Sequence, residues 1–387
     1  CFNFFFKNIQ KNTYFYIRII YIISIYMRVR QIFFFLYLYI NTCCFPVFAQ
    51  QSSEFQAKYI RGTLLPHHES IAFVVSDYQN GVEFQYNQRA NHISIYDSLY
   101  RFPKFGIGYQ FVSLGNTQKL GYASNLFGSM QISLFSNQKS NLGFEQNLGL
   151  SYIYSPLEIS PYNTALSSRI NFYAGIDIYY EYRISQTHTI KSGFELSHIS
   201  NGKIKTPNLG LNSIGVSMAY IYTTTLITKP QKIKHIPRQQ HALYSLISGA
   251  YKSDDFLGTK KYHVASALLE YKYVPNRRYG ILAGINSFYD QTIFSRQTNN
   301  TTLNQKLHIL EYGIHSGIAA HYNNMYIFMC SGMYIKASNN KPPYYSKVGI
   351  RYSYHNLLFN FSVKSHKTTA DFLECGIGVY LYKSKQQ

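Results

Sequence analysis

The sequence of 387 residues predicts an all-β protein, an antiparallel transmembrane β-barrel of roughly 12–16 strands. Only 14% of the residues are charged, whereas a typical soluble domain has about 25%, and the chain contains 39 tyrosines and 28 phenylalanines. The mean hydropathy is nevertheless −0.18, which is too low for a bundle of membrane helices. Strands that alternate an apolar lipid-facing residue with a polar inward residue explain both observations, because their composition averages to near neutrality.

Short segments with a two-residue period recur along the chain, separated by clusters of Asn, Gly, Ser, Asp and Pro. In Ser213–Tyr222, one face carries Ile, Val, Met and Tyr, and the other is mostly Ser, Gly and Ala. A soluble β-sandwich alternates in the same way, so the aromatic content and an export signal are what favour the membrane barrel. The segments predicted as strands are Phe105–Val112, Ser129–Phe135, Asn147–Tyr154, Ile170–Ile178, Thr189–His198, Ser213–Tyr222, His263–Tyr273, Tyr279–Phe288, Ile309–His321, Tyr326–Lys336, Lys347–Tyr354, Leu357–Val363 and Cys375–Tyr382.

The start of the chain carries the predicted export signal. Residues 1–26 are apolar and aromatic, and we interpret them as sequence upstream of the true start. Residues 27–49 are organised as a cleaved signal peptide, with Arg28 in a basic first part and Ala49 at the cleavage site. A membrane-anchor helix is disfavoured, because polar residues and a proline interrupt the apolar run before it reaches about 20 residues. Residues 50–387 are then predicted to form a barrel in a Gram-negative outer membrane.

The mature chain is far longer than an eight-stranded barrel requires. The additional strands either widen the single barrel or form a second unit. Thr228–Gln240 interrupts the alternation with two prolines and four Lys or Arg residues, and it is predicted to be a long loop or a linker between halves. Cys330 and Cys375 fit no metal-binding spacing and are predicted to be unpaired strand residues.

The formal net charge of +20 indicates an anionic partner. The basic residues are scattered over strand ends and loops, and they form no recognisable DNA- or RNA-binding motif. They favour an anionic membrane surface or a phosphorylated glycolipid over nucleic acid.

The segment from Phe194 to Ser213 contains the residue types of a nucleophilic site. Residues two apart on a strand share a face, so His198 and Ser200 are expected together on the apolar, lipid-facing side. A turn-rich stretch follows, and the next strand begins near Asn212. Polar groups at the lipid boundary cost free energy unless they pair with one another, and a Ser nucleophile, a His base and a third polar residue meet that demand. A site that faces lipid suits a substrate that is itself a membrane lipid.

This segment resembles the lipid A 3-O-deacylases of the PagL type, an outer-membrane family of barrel esterases related to acyloxyacyl hydrolases. The resemblance rests on His-x-Ser-Asn followed by Pro-Asn-x-Gly. It implies that His198 is the general base and Ser200 the nucleophile in hydrolysis of the 3-linked acyl ester of lipid A, without a cofactor. The implied partners are lipid A, lipopolysaccharide and other outer-membrane lipids. The positions that would support the oxyanion are Asn201, Gly202, Asn208 and Gly210.

The sequence departs from the family pattern at the triad acid, where Asn212 stands in place of Glu. An amide oxygen accepts a hydrogen bond from the imidazole, but it cannot stabilise an imidazolium by charge. Glu195 is near in sequence and is expected on the opposite face. Three interpretations stay open. The chain is a deacylase in which Asn212, or a carboxylate elsewhere in the chain, takes the place of the triad acid. Otherwise it is a weakened relative that binds lipid A, or a non-catalytic channel or transporter. The oligomeric state stays open.

The remaining histidines are not predicted to form a site. His67 and His68 are interpreted as solvated loop residues. His315 and His321 share one face of a strand but are too far apart to bind the same metal ion. No metal site is predicted.

Overall fold

Two closed antiparallel barrels of eight strands each make up the described part of the chain. The prediction of an antiparallel β-barrel is confirmed, whereas a single barrel over residues 50–387 is wrong. Alternation identifies strands, but the number of barrels depends on which strand closes each sheet, and no local pattern carries that information. The residues 1–26 and the signal peptide lie outside the described residues. The computed structural model describes residues 52–90, 94–224, 239–253, 260–296, 310–337, 341–367 and 369–384, which belong to one compact unit.

The first barrel closes by pairing its first strand with its eighth, so that Leu64 lies opposite Ser213. Short helices lie in two of its connections. The strands are β1 (Ser53–Leu64), β2 (Gln79–Arg89), β3 (Lys104–Ser113), β4 (Tyr122–Ser136), β5 (Ser140–Ile153), β6 (Ile170–Arg183), β7 (His188–Ser200) and β8 (Leu211–Thr223), and the helices are α1 (Glu69–Ala72) and α2 (Ile95–Leu99).

The second barrel closes in the same way, with Ile377 of its last strand opposite Ile247 of its first. Most of the predicted linker Thr228–Gln240 lies outside the described residues, and that connection joins the two barrels. The strands are β9 (Gln240–Ser253), β10 (Lys261–Val274), β11 (Tyr279–Asp290), β12 (Leu310–Tyr322), β13 (Met325–Lys336), β14 (Tyr344–Tyr354), β15 (Leu357–His366) and β16 (Thr369–Lys383), and α3 (Gln291–Arg296) follows β11.

The strands β1, β2 and β9 were not among the segments predicted from the sequence. In β9 the period is obscured because apolar side chains occur on both faces, with Tyr244 and Leu246 buried and Ile247 exposed. Cys330 and Cys375 lie on β13 and β16 and are unpaired, as predicted.

The interior of the first barrel is filled by charged and amide side chains. Lys58 Nζ lies 2.9 Å from Glu83 Oε1, 3.0 Å from Asp177 Oδ2 and 2.8 Å from Glu195 Oε1, and all four residues are buried. Eight strands leave an interior just wide enough for side chains, so these groups can be buried only by compensating one another. Further inward pairs join Lys104 to Glu54 and Glu181, and Lys191 to Glu145.

The second barrel has an equally full interior. Arg351 Nη1 lies 2.7 Å from Glu270 Oε1, and Glu270 Oε2 lies 2.7 Å from His315 Nε2. His321 is also inward and buried, as its shared strand face predicts. Other inward ion pairs join Lys252 to Asp290 and Asp371, Lys341 to Asp290 and Glu311, Lys347 to Glu374, and Lys364 to Asp371.

The outer surface of both barrels is a belt of exposed apolar residues. Phe84 is 61% exposed and Val216 59% on the first barrel, and Ile318 is 61% exposed on the second. Tyrosines such as Tyr182 and Tyr354 lie at the strand ends, as in an interfacial aromatic girdle. Among the described residues, no helix is long and apolar enough to cross a membrane.

The two barrels contact each other side by side, and contacts between them occur at both ends of the strands. At one end, Ser253 N–H donates to the Lys203 carbonyl oxygen at 3.0 Å. At the other end, the Tyr322 ring packs 5.1 Å from the Phe105 ring, and the Tyr322 hydroxyl donates to Asp97 in α2. We call the first of these ends the site end, because the candidate active site lies there.

Replacing Lys58 with Met tests the role of the interior charges. The substitution leaves three buried carboxylates without their shared cation, so the free energy of unfolding should fall by about 3–5 kcal/mol. Urea unfolding in detergent, followed by heat-modifiable migration on gels, measures the change. Lys139→Met, in an exposed turn, should stay within about 0.5 kcal/mol. Equal stability of Lys58→Met and the unmodified protein would contradict this account of the interior.

Candidate active site

The predicted motif lies on the hairpin formed by β7 and β8, where His198 is directly opposite Asn212. His198 is exposed on the outer face, together with Phe194 (45% exposed) and Leu196 (43%). Glu195 points into the barrel, where it pairs with Lys58. The alternation of β7 therefore separates a lipid-facing polar cluster from the interior charge network.

A chain of three polar side chains crosses the hairpin. His198 Nδ1 lies 2.6 Å from Asn212 Oδ1, and Asn212 Nδ2 lies 3.1 Å from His67 Nδ1. The other ring nitrogen of His67 lies 2.8 Å from the Leu209 carbonyl oxygen. His67 belongs to the β1–β2 connection, and the Leu65 N–H, which donates to the Asn212 carbonyl at 2.8 Å, attaches that connection to β8.

The structure brings His198 and Asn212 into contact, whereas Ser200 is not hydrogen-bonded to His198 within the described residues. Ser200 is two residues further along β7 on the same face. The His198 ring is turned towards Gly210, since a Cβ atom added there would lie 2.8 Å from His198 Cε1 and 3.5 Å from Nε2. Gly210 has a positive φ of 77° and lies directly before β8, so the edge of the ring that carries Cε1 and Nε2 faces the end of the hairpin where Ser200 also lies.

The loop that follows Ser200 is held by its own asparagines. Asn201 Nδ2 donates to Ser168 Oγ at 2.8 Å and to the Lys205 carbonyl at 2.9 Å. The Asn201 N–H donates to Asn208 Oδ1 at 3.0 Å. Both kinds of Asn201 donor are thus engaged in loop structure. Within the part of the chain that the structure describes, Asn208 Nδ2 and the Gly202 N–H have no hydrogen-bond partner, so these two donors are available to a ligand.

The second barrel braces this loop and the strand beside it. Ser253 donates from its N–H to the Lys203 carbonyl and from its hydroxyl to the Ile204 carbonyl, both at 3.0 Å. Phe172, which pairs with Ser200 across β6 and β7, packs its ring 5.5 Å from that of Phe361 on β15. The candidate nucleophile therefore lies beside the contact between the barrels.

An ion pair joins the same loop to the β5–β6 connection. The Lys205 ammonium donates a hydrogen bond to the exposed Glu158 carboxylate. That hydrogen bond, reinforced by the positive charge, lowers the pKa of the Glu158 carboxyl. The loop 201–210 thus contacts the second barrel on one side and the β5–β6 connection on the other.

Sequence reasoning missed His67, which it assigned to a solvated loop. The contact joins residues 145 positions apart, and it exists only because closure of the barrel places β1 beside β8. No local signal distinguishes His67 from His68, whose ring accepts the Ser70 N–H as the N-cap of α1.

The ligand atoms of Glu270, His315 and Cys330 lie within 4.8 Å of one another inside the second barrel, a spacing that a metal ion could bridge. The carboxylate is already paired with Arg351 and His315, and His315 Nδ1 lies 2.6 Å from Asn286 Nδ2. The cluster is best explained as part of the hydrogen-bonded interior.

Two family models match the chain, one for each barrel. The model described as "Lipid A 3-O-deacylase (PagL)" matches residues 80–221, and the model described as "Acyloxyacyl hydrolase, C-terminal domain" matches residues 240–384. The first barrel therefore resembles the lipid A 3-O-deacylase (PagL) family, and the second resembles the C-terminal domain of acyloxyacyl hydrolases. The resemblance inferred from the motif is thereby confirmed, and the family together with the barrel fold identifies an outer-membrane protein. His198, Ser200 and Asn212 lie inside the PagL match, and His67 lies before it.

Several solved structures are similar to this chain. The outer membrane enzyme PagL is 14% identical, with 42% of this chain and 97% of that chain covered and a TM-score of 0.31. CdiB from Acinetobacter baumannii is 9% identical, with 86% and 60% covered and a TM-score of 0.18. A porin variant from Rhodopseudomonas blastica is 12% identical, with 86% and 100% covered and a TM-score of 0.18. No curated protein matches the chain.

Gly210→Ala tests whether the position of His198 depends on the absence of a side chain at residue 210. A methyl group there would lie 2.8 Å from His198 Cε1, on a backbone with positive φ, and would displace the imidazole. We expect esterase activity to fall about tenfold in a barrel that still folds, which is the effect of losing one hydrogen bond that positions a side chain. Gly128→Ala, where the added Cβ would be 3.9 Å from its nearest neighbour, is the matched control. Full activity of Gly210→Ala would contradict the described geometry.

Proposed function

We propose that this chain hydrolyses the 3-O-linked acyl chain of lipid A in the outer membrane, with Ser200 as nucleophile, His198 as general base and Asn212 as the residue that orients the imidazole. The observation that supports the proposal most directly is the hydrogen bond between His198 Nδ1 and Asn212 Oδ1 on a lipid-facing surface. An amide oxygen can only accept, so Nδ1 carries the proton and Nε2 retains a lone pair. That lone pair is what a general base requires.

In the proposed reaction, His198 Nε2 takes the proton of the Ser200 hydroxyl as the oxygen attacks the ester carbonyl. The oxyanion of the tetrahedral intermediate would be stabilised by Asn208 Nδ2 and the Gly202 N–H. Collapse of the intermediate expels the sugar hydroxyl, which receives its proton from the imidazolium, and leaves an acyl ester on Ser200. A water molecule, deprotonated by His198, then attacks the acyl ester on Ser200. Collapse of this second intermediate restores the Ser200 hydroxyl and releases the fatty acid.

The location of the site supports a substrate in the outer leaflet. Outer-membrane barrels have short periplasmic turns and longer extracellular loops. In the second barrel, the turns opposite the site end are short, at residues 275–278, 323–324 and 355–356. The corresponding ends of the two barrels lie at the same level. The short turns at the opposite end therefore support assigning the site end to the extracellular side, where lipopolysaccharide lies.

The filled interiors oppose the alternative of a channel or transporter. A conducting pore needs a continuous aqueous lumen, whereas both interiors are filled by buried side chains, many of them ion-paired as Lys58 and Arg351 are. We expect no stable porin-like conductance from the purified protein in planar bilayers. Steady, voltage-independent current steps would instead support the non-catalytic alternative.

Mass spectrometry of lipid A tests the proposed activity. Cells that express the chain should produce lipid A that lacks one hydroxyacyl group, and cells that express Ser200→Ala should not. Ser192→Ala is the matched control, because Ser192 is exposed on the same strand and the same face but away from the motif. Unchanged lipid A with a folded, inserted wild-type protein would refute the proposal for that lipid A.

Asn212→Asp tests the effect of the missing charge. The substitution keeps the shape of the side chain and adds a carboxylate beside His198, so an imidazolium becomes more stable. A hydrogen bond to a charged group exceeds a neutral one by about 1–1.5 kcal/mol, which corresponds to an increase of about tenfold in kcat. Single-turnover assays on purified lipid A in detergent would measure it. A decrease in kcat would argue against Asn212 as the orienting residue.

A further inference from the structure

His67 is in contact with the candidate active site, although it lies outside both the motif and the segment that matches the PagL family model. Its Nδ1 lies 3.1 Å from Asn212 Nδ2, and its Nε2 lies 2.8 Å from the Leu209 carbonyl oxygen. Both ring nitrogens therefore have a partner, one in β8 and one in the loop that precedes β8.

The partners of His67 determine which nitrogen carries its proton. The Leu209 carbonyl can only accept, so a neutral His67 is protonated on Nε2 and has a lone pair on Nδ1. That lone pair must accept a hydrogen bond, and the donor beside it is the Asn212 amide NH₂. The Asn212 oxygen is then directed at His198.

The reverse amide orientation would have consequences at His198. With its NH₂ group towards His198, Asn212 would donate to Nδ1, and the proton of the imidazole would move to Nε2. His198 would then have no lone pair available for Ser200. A carboxylate avoids this problem because both of its oxygens accept, whereas an amide has a correct and an incorrect orientation.

We propose that His67 is a positioning residue that fixes the amide orientation of Asn212 and thereby the tautomer of His198. The catalytic consequence rests on the proposed function. His67 acts only through Asn212 and touches no reacting atom. Its place is secured by the hydrogen bond from the Leu65 N–H to the Asn212 carbonyl and by α1, whose N-cap is His68.

A double-mutant cycle tests the proposal. His67→Ala should lower the single-turnover rate on lipid A about tenfold, the effect of losing one orienting hydrogen bond. In the Asn212→Asp background the same substitution should cost less than about twofold, because a carboxylate needs no orientation and has no N–H to donate to His67 Nδ1. His68→Asn alters the same loop without touching Asn212, keeps an N-capping side chain for α1 and should leave the rate unchanged. Equal losses for His67→Ala in both backgrounds would overturn the proposal and indicate a structural role.

A spectroscopic measurement separates this proposal from the proposed function. Two-bond ¹H–¹⁵N correlation spectra of histidine-labelled protein in detergent micelles distinguish an Nδ1-protonated ring from an Nε2-protonated one, and His198→Ala identifies the signal. We expect His198 to be Nδ1-protonated in the wild type and to shift towards the Nε2-protonated form in His67→Ala. An unchanged tautomer would overturn the proposal whether or not the protein is active. An inactive wild type with the expected tautomer change would refute only the deacylase function.

Discussion

Closure at eight strands is the constraint on which the rest of this structure depends. A sheet in lipid must pair both of its edges, because an unpaired backbone group in hydrocarbon has no water to bind. Eight strands satisfy that demand but leave an interior only as wide as its side chains. Lys58 in the first barrel and Arg351 in the second are buried there among carboxylates. With the interior filled, a large substrate can be reached only from the outer surface or the ends.

A reactive site on the outer surface has to solve a second problem, since polar groups at the lipid boundary are stable only when they are paired. His198, Asn212 and His67 pair one after another across two strands and a loop. The same pairing that reduces the cost of desolvation also determines which nitrogen of each imidazole carries the proton. Replacing the acid of the family motif by an amide removes a charge from this boundary, which lowers the cost of burying the cluster but makes the orientation of one amide important for chemistry.

The fold could be predicted from the sequence as far as local patterns determine it. Alternation placed the strands from β3 to β8 and from β10 to β16, and it separated Glu195 from His198 on β7. It also put His198 and Asn212 on facing strands of one hairpin. The number of barrels and the role of His67 could not be predicted, because both depend on the pairing of β1 with β8, between residues more than a hundred positions apart. Contacts of that kind leave no trace in the order of neighbouring residues.

The second barrel supports the part of the first barrel that carries the candidate site. Residues 240–384 contain no His-x-Ser sequence, yet Ser253 supports the loop after Ser200, and Phe361 packs on Phe172 beside it. Lipid molecules surround a single barrel on every side, so a site on its wall has no fixed boundary along the membrane. A second barrel docked on β6 provides that boundary on one side of Ser200, while β8 and the His67 loop provide it on the other. Under the proposed function, the acyl chain of the substrate lipid would reach Ser200 along the strip between them.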